Sequence, residues 1–280
     1  MAAGVVNTAS LSGDQRLCPV CLKDNKDRKK LRYSRDRWVL KKCRACDFVY
    51  LENPPQYEEL SETYAWEKTS RIVKESKEKS KSWLRIGITN LEKWKDRHIK
   101  RDKLFKLVPR YFKAGKIIDI GCGGGAVIGR LDKKFIPFGV EISKQLAHDA
   151  HMIAEARGGK VIHNNSIDSL ASFSHGYFEG AIMSAFLEHE LHPAEALAGT
   201  FAVLKNGCSL IIKVPNYACL NRTVMGKNWC GFRFPDHLNY YTPSSLQKSV
   251  MHAGFEIIKF NIFDKFPTSD NMWMVARKPA

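Results

Sequence analysis

The chain has 280 residues, 44% of them hydrophobic, enough to bury a sizeable core as one large domain with an appendage or as two domains. It has no run of the ~18–20 apolar residues that span a bilayer, and its opening MAAGVVNTASLSGDQ lacks the charged-then-apolar pattern of a signal peptide, so it reads as soluble and cytoplasmic. The net charge of +16 sits at the front, with +9 over residues 16–46, +11 over 66–116 and only +2 over 117–280, which points to an anionic partner or to a solvated basic helix surface.

Residues 1–16 read as a disordered tail. Residues 17–55 form a module around Cys18, Cys21, Cys43 and Cys46, spaced as two C-x2-C pairs 21 residues apart. In an intracellular chain this pattern is a metal site rather than a disulfide framework. Strand-like RWVLKKC and DFVYL separate the pairs, and Asn53-Pro54-Pro55 breaks the chain after them. Residues 56–114 read as a basic helical region with a break near Gly87. There Leu91, Trp94, His98, Phe105, Val108 and Phe112 recur at three-, four- or seven-residue steps, and Trp66, Trp83 and Trp94 read as core anchors.

Residues 115–280 change rhythm. KIIDI, FGVEI, KVIH, EGAIM and SLIIKV read as strands, with helices expected over 125–134, 143–157 and 193–205. This alternation predicts a doubly wound α/β sheet. A last helix over 243–253 leads to FEIIKFNIF and NMWMVARK, expected as an antiparallel pair at one edge.

The densest chemical signal is IIDIGCGGG at residues 117–125. A strand ending at Asp119, then Gly121, Gly123 and Gly125 and a turn into a helix, lets the backbone approach a nucleotide-type ligand closely. The spacing is not the strict dinucleotide G-x-G-x-x-G, and the absence of G-x-x-x-x-G-K-[ST] excludes a P-loop. Glu141 ends the next predicted strand, where a carboxylate suits the two hydroxyls of a ribose.

With these residues the stretch 115–280 resembles the class I S-adenosylmethionine (SAM)-dependent methyltransferases, whose first motif IIDIGCGGG matches throughout. YFEGAIM, LEHELHPAEAL and VLKNGCSLIIKVPN resemble later segments of that family in the right order, with Glu179, Asn206 and Cys208 departing from the usual residues. The resemblance implies a Rossmann-like sheet of seven strands with the last antiparallel. It also implies a SAM site in which Gly121, Gly123 and Gly125 floor the methionine moiety, Asp119 orients the loop and Glu141 holds the ribose. Ser166, Ile167 or Asp168 would meet the adenine, with Ser184 nearby. Asp168 reads equally as a helix cap or a solvent-facing acid. CPVC and CRACDFVYLENPP resemble the N-terminal zinc ribbon of bacterial small-molecule and sugar methyltransferases, with Asp47 in place of a glycine whose left-handed φ an aspartate also adopts. Four thiolates leave zinc no open position, so the resemblance implies a structural Zn2+.

Methyl transfer needs a positioned nucleophile and a base. Candidates are His237, in FPDHLNYYT, and Glu188 and His189. Deoxysugar C-methyltransferases with a similar ribbon place a catalytic His before an aromatic pair, but Phe234 stands here at the position of their catalytic Tyr. His237 reads equally as a structural histidine. Ubiquinone-pathway O-methyltransferases place Glu-x-x-Glu-His where this chain has Ala185 first, so a catalytic metal is not expected. The leading reading is methylation of a nucleotide-sugar, glycan or other small anionic metabolite. The alternatives are a nucleic-acid methyltransferase using the basic front and a non-catalytic zinc-ribbon binding protein. Against the former, Ser184-Ala185-Phe186-Leu187 stands where a target-base signature would lie.

Overall fold

The computed structural model describes residues 15–57, 59 and 101–280. Trp66, Trp83, Gly87, Leu91, Trp94 and His98, on which most of the helical-region reading rests, lie outside them.

In the cysteine module β1 (Leu40–Lys42) pairs antiparallel with β2 (Val49–Leu51), Leu40 facing Leu51. The two cysteine pairs sit on turns of one kind. Leu22 N donates to the Cys18 carbonyl at 2.8 Å and Asp47 N to the Cys43 carbonyl at 3.1 Å. Leu22 and Asp47 both take left-handed φ, +56° and +60°. Asp47 thus adopts the conformation expected where related sequences carry glycine.

Helix α1 (Arg101–Tyr111) leads into β3 (Gly115–Ile120), then β4 (Phe135–Glu141), α2 (Lys144–Glu155), β5 (Lys160–His163), α3 (Ser166–Ala171), β6 (Phe178–Ser184), α4 (Pro193–Val203) and β7 (Leu204–Pro215). The chain continues through α5 (Leu220–Met225), β8 (Asn239–Tyr240), α6 (Pro243–His252), β9 (Glu256–Lys259) and β10 (Asn271–Arg277). Seven strands form one sheet in the order β5-β4-β3-β6-β7-β10-β9. β10 runs antiparallel to β7 and to β9 at the edge, while β3 to β7 are mutually parallel.

Near-continuous apolar strands are what a sheet covered on both faces requires. Alternate residues divide between two cores. Ile118, Ala181, Ile212 and Met274 pack on one face with Leu197 and Leu246 of α4 and α6, and Ile117, Ile182, Ile211 and Val275 pack on the other with Leu104, Val108 and Phe112. The helix expected over 125–134 is replaced by a 3-10 turn at Ile128–Arg130. Gly124, Gly125 and Gly129 disfavour an α-helix there, and Arg157 satisfies the freed carbonyls of Ile128, Asp132 and Phe135.

The sequence reading kept the cysteine module and the methyltransferase-like domain apart. The structure joins them. β8 pairs antiparallel with β2, Val49 facing Tyr240 and Tyr50 facing Asn239, so the third strand of the module's sheet comes from residues beyond 238. Arg16, assigned by sequence to the tail, is instead anchored at this junction. Its guanidinium donates to the carbonyls of Leu51, Leu191 and Leu238 at 2.8, 3.1 and 2.9 Å and to Asn239 Oδ1 at 3.0 Å. Burial lowers its pKa to about 10, with Tyr50 and Glu190 among the groups opposing the shift. Among the described residues no helix is long and apolar enough to cross a membrane.

Candidate active site

The loop after β3 is tied to the end of β4. Gly121 N and Cys122 N both donate to the Val140 carbonyl, at 2.9 and 3.1 Å. The Glu141 carboxylate accepts from Gly123 N at 2.8 Å through one oxygen and from Ser143 N at 2.9 Å through the other. The glycine turn and Glu141 are therefore one rigid unit whose carboxylate is aimed by two backbone donors. Gly121 has φ +74°, and a Cβ there would lie 2.7 Å from the Phe186 ring, so glycine lets the loop after β6 close over the turn. Gly123 has φ +52°, and a Cβ there would meet no protein atom within 4 Å. That space belongs to a cavity.

The cavity has a volume of about 560 Å³, within the ~300–1,000 Å³ range of small-ligand sites. Asp119, Gly121, Gly123, Glu141, Ser166, Ser184, Glu188, His189 and His237, all singled out from sequence, line it together. Asp119 is buried beside Glu141. Burial first, and then the Glu141 charge, push its pKa up to about 8.

Three residues singled out from sequence do not line the cavity. Gly125 does not line the cavity; a Cβ there would lie 3.0 Å from Ala150 Cα, so its role is close packing of the loop on α2. Asp168 and Ile167 are not among the lining residues either. Asp168 is exposed in the first turn of α3, held by the capping side chain of Asn165, which accepts from its backbone N–H at 2.9 Å and donates to its carboxylate at 2.7 Å. Asn164 and Asn165 line the cavity at that point instead.

The other end of the cavity lies under residues 216–242. Leu238 N and Asn239 N donate to the Glu188 carbonyl at 2.7 and 3.0 Å, and the Asn239 side chain donates to the carbonyls of Leu187 and Glu190. Two loops distant in sequence are thereby locked together. The His189 and His237 rings meet edge-on, centroids 4.8 Å apart. Each uses Nδ1 toward a backbone carbonyl, His189 to Asp236 and His237 to Gly231, both at 2.8 Å. A carbonyl only accepts, so each ring directs an Nδ1–H at it, and in the neutral form of such a ring the lone pair lies on Nε2. Burial holds the His237 pKa well below its ordinary value, with His189 and Arg233 adding to the effect. Burial raises that of Glu188, against the pull of His189, Lys213 and Arg233.

Sequence reasoning missed Glu190, which lines the same cavity and gathers three donors. Ser166 Oγ donates to one of its oxygens at 2.7 Å, and the Tyr57 hydroxyl and His192 N donate to the other. Its signal was present in LEHELH, but nothing local separates it from an ordinary helix-leading acid.

In the cysteine module the four Sγ atoms lie within 4.8 Å of one another, Cys18 to Cys46 at 3.6 Å and Cys21 to Cys43 at 3.4 Å. A tetrahedron of thiolates at the ~2.3 Å zinc–sulfur distance has edges of about 3.8 Å, so the arrangement fits such an ion.

A family model described as a methyltransferase domain matches residues 93–259. A ubiquinone biosynthesis O-methyltransferase from Nitrosococcus oceani is 28% identical over 160 residues, 51% of this chain and 65% of that protein, so the chain spans slightly under two thirds of that relative's length. A SAM-dependent methyltransferase from Archaeoglobus fulgidus superposes with a TM-score of 0.53 at 18% identity, covering 66% of this chain and 98% of that one. A SAM-dependent methyltransferase from Thermotoga maritima, described as a possible histamine N-methyltransferase, gives 0.51 at 21% identity over 68% and 96%. At these identities the structural likeness concerns the fold.

Proposed function

We propose that this chain, which belongs to the methyltransferase-domain family, transfers a methyl group from SAM to a small anionic metabolite such as a nucleotide-sugar or glycan. One observation carries the reading. Among the described residues one continuous cavity runs from the Gly123–Glu141 unit to the Glu188–His189–His237 cluster under residues 216–242. Its residues fit the cofactor. The space above Gly123 admits a close-lying methionine moiety, and the Glu141 carboxylate, fixed by two backbone donors, is a hydrogen-bond acceptor of the kind that ribose hydroxyls require. Asp119 faces the same volume, and Asn164 to Ser166 offer polar edges to the adenine. The bound cofactor supplies an activated sulfonium methyl. The chain holds the acceptor in line with it, and the cap excludes water. In the metal-free protein the Nε2 lone pair of His237, neutral by burial, is the candidate acceptor of the nucleophile's proton.

The four thiolates are proposed to hold a structural Zn2+. Metal analysis giving one zinc per chain, lost in Cys43→Ser, tests this.

The exposed cations Lys26, Arg28, Lys29, Lys30 and Arg32 of the module keep a nucleic-acid acceptor in view as a second reading. Incubation with methyl-labelled SAM and either nucleotide-sugars or RNA separates the two. Label in the low-mass fraction supports the first reading, and label confined to RNA overturns it.

A further inference from the structure

We propose that the acceptor end of the cavity is a second metal site, in which Glu188, His189 and His237 bind one divalent first-row transition ion such as Mn2+, Fe2+ or Zn2+. The sequence argued against a catalytic metal because Ala185 offers no ligand. The structure supplies a third donor from another part of the chain, the cap. One ligand atom from each of Glu188, His189 and His237 lies within 4.8 Å of the others. Ala185 is not needed.

The donor chemistry is that of a ligand set. Both imidazoles spend Nδ1–H on a backbone carbonyl, which fixes the ring orientation and leaves Nε2 as a σ-donor, the arrangement that accompanies metal-bound histidine. Two imidazoles and a carboxylate with positions left open suit divalent first-row ions.

A second observation points to a missing partner. Glu188 is only 2% exposed, and its Oε2 is a buried oxygen with no hydrogen-bond partner. An unsatisfied buried acceptor is costly, more so when charged, and a cation would satisfy it.

The surroundings agree with this assignment. The nearby cation Arg233 is paired with the buried Asp236 at 2.7 Å, which reduces its repulsion of an ion. The backbone bonds from Leu238 and Asn239 to Glu188 hold the two ligand-bearing loops in register.

Whether the ion binds does not depend on the methyltransferase reading. What it does there rests on that reading: the ion orients an acceptor oxygen and lowers its pKa, and His237 then serves as a ligand rather than as the base.

The test uses full-length protein carrying a single zinc per chain, which leaves the second site open, titrated with Mn2+, a hard ion for which a closed thiolate site is unsuited, with free Mn2+ read by electron paramagnetic resonance. Binding of S-adenosylhomocysteine is measured in parallel by calorimetry. Uptake of one Mn2+ per chain, weakened at least tenfold in Glu188→Gln and His237→Gln proteins that still bind S-adenosylhomocysteine, supports the site. No uptake by wild-type protein that binds S-adenosylhomocysteine overturns it, as does uptake indifferent to both substitutions. Uptake without S-adenosylhomocysteine binding upholds the metal site and counts against the cofactor reading alone. Should the variants fail to fold, pulsed resonance of wild-type protein decides. Hyperfine couplings to two imidazole nitrogens uphold the assignment, and their absence from bound Mn2+ overturns it.

Discussion

Val49 and Tyr240 face each other across an antiparallel pair, so the strand that closes the cysteine module and the strand that follows His237 belong to one sheet. The module is therefore tied, through β8, to the segment that carries His237 into the cavity. Phe48 extends the contact by packing edge-on against Tyr241, ring centroids 5.0 Å apart. Removing the proposed zinc, by chelation or by Cys43→Ser, is expected to loosen residues 231–241 together with residues 39–51. Hydrogen exchange should lose protection in both segments, while β3 and β4 keep theirs and S-adenosylhomocysteine still binds. Turnover should fall by about a hundredfold, the scale of a small misplacement of reacting groups. Exchange confined to residues 39–51 would contradict this coupling.

Glu141 offers the clearest test of the cofactor end. Hydrogen bonds to a charged group are worth about 1.5–3 kcal/mol each, so Glu141→Ala should raise the dissociation constant of S-adenosylhomocysteine by more than about tenfold. Calorimetry measures this, and circular dichroism confirms that the sheet persists. An unchanged constant would remove Glu141 from the site.

Gly123 and Gly207 separate strain from occupancy. Both have positive φ, +52° and +74°, and at both a Cβ would meet nothing within 4 Å. Gly123 lines the cavity and Gly207 does not. Alanine at either position should cost about 1–2 kcal/mol in a left-handed conformation, read as similar falls in Tm. Only Gly123→Ala should also weaken S-adenosylhomocysteine binding.

Asp119 sets a pH dependence. Its pKa is raised in the folded protein, to about 8, so the unfolded chain releases this proton first as pH rises. The stability it contributes is present below the ordinary carboxylate range and is lost as pH rises toward about 8. Urea midpoints from pH 5 to 9 should fall more steeply for wild type than for Asp119→Asn. Binding a cationic ligand beside Asp119 lowers its pKa again, so binding of SAM, which carries a sulfonium charge, should release protons at pH 6.5. Calorimetry in buffers of different ionisation enthalpy detects them.

The glycine-turn end of the cavity was readable in the sequence because its residues are local. β3, the glycine turn and Glu141 fall within some 25 residues, and a strand–turn–strand segment brings them together with little help from the rest of the chain. The acceptor end is assembled from afar. β8 has two residues, too short for any periodicity, and Asn239 reaches the Glu188 loop through tertiary contacts alone. At the start of α3 the sequence and the structure differ in orientation. Asn165 and Asp168 both suit a helix start, and the capping geometry that turns Asp168 outward is set by φ and ψ rather than by composition.

The placement of β8 also bears on synthesis of the chain. A ribosome releases residues 15–57 long before residue 240, and until then β2 has a bare edge and the Arg16 guanidinium lacks its partners at Leu191, Leu238 and Asn239. Such an unpaired strand edge is an invitation to intermolecular pairing. The front of the nascent chain must stay guarded through most of translation, and its charge of +9 over residues 16–46 supplies the mutual repulsion that keeps copies apart.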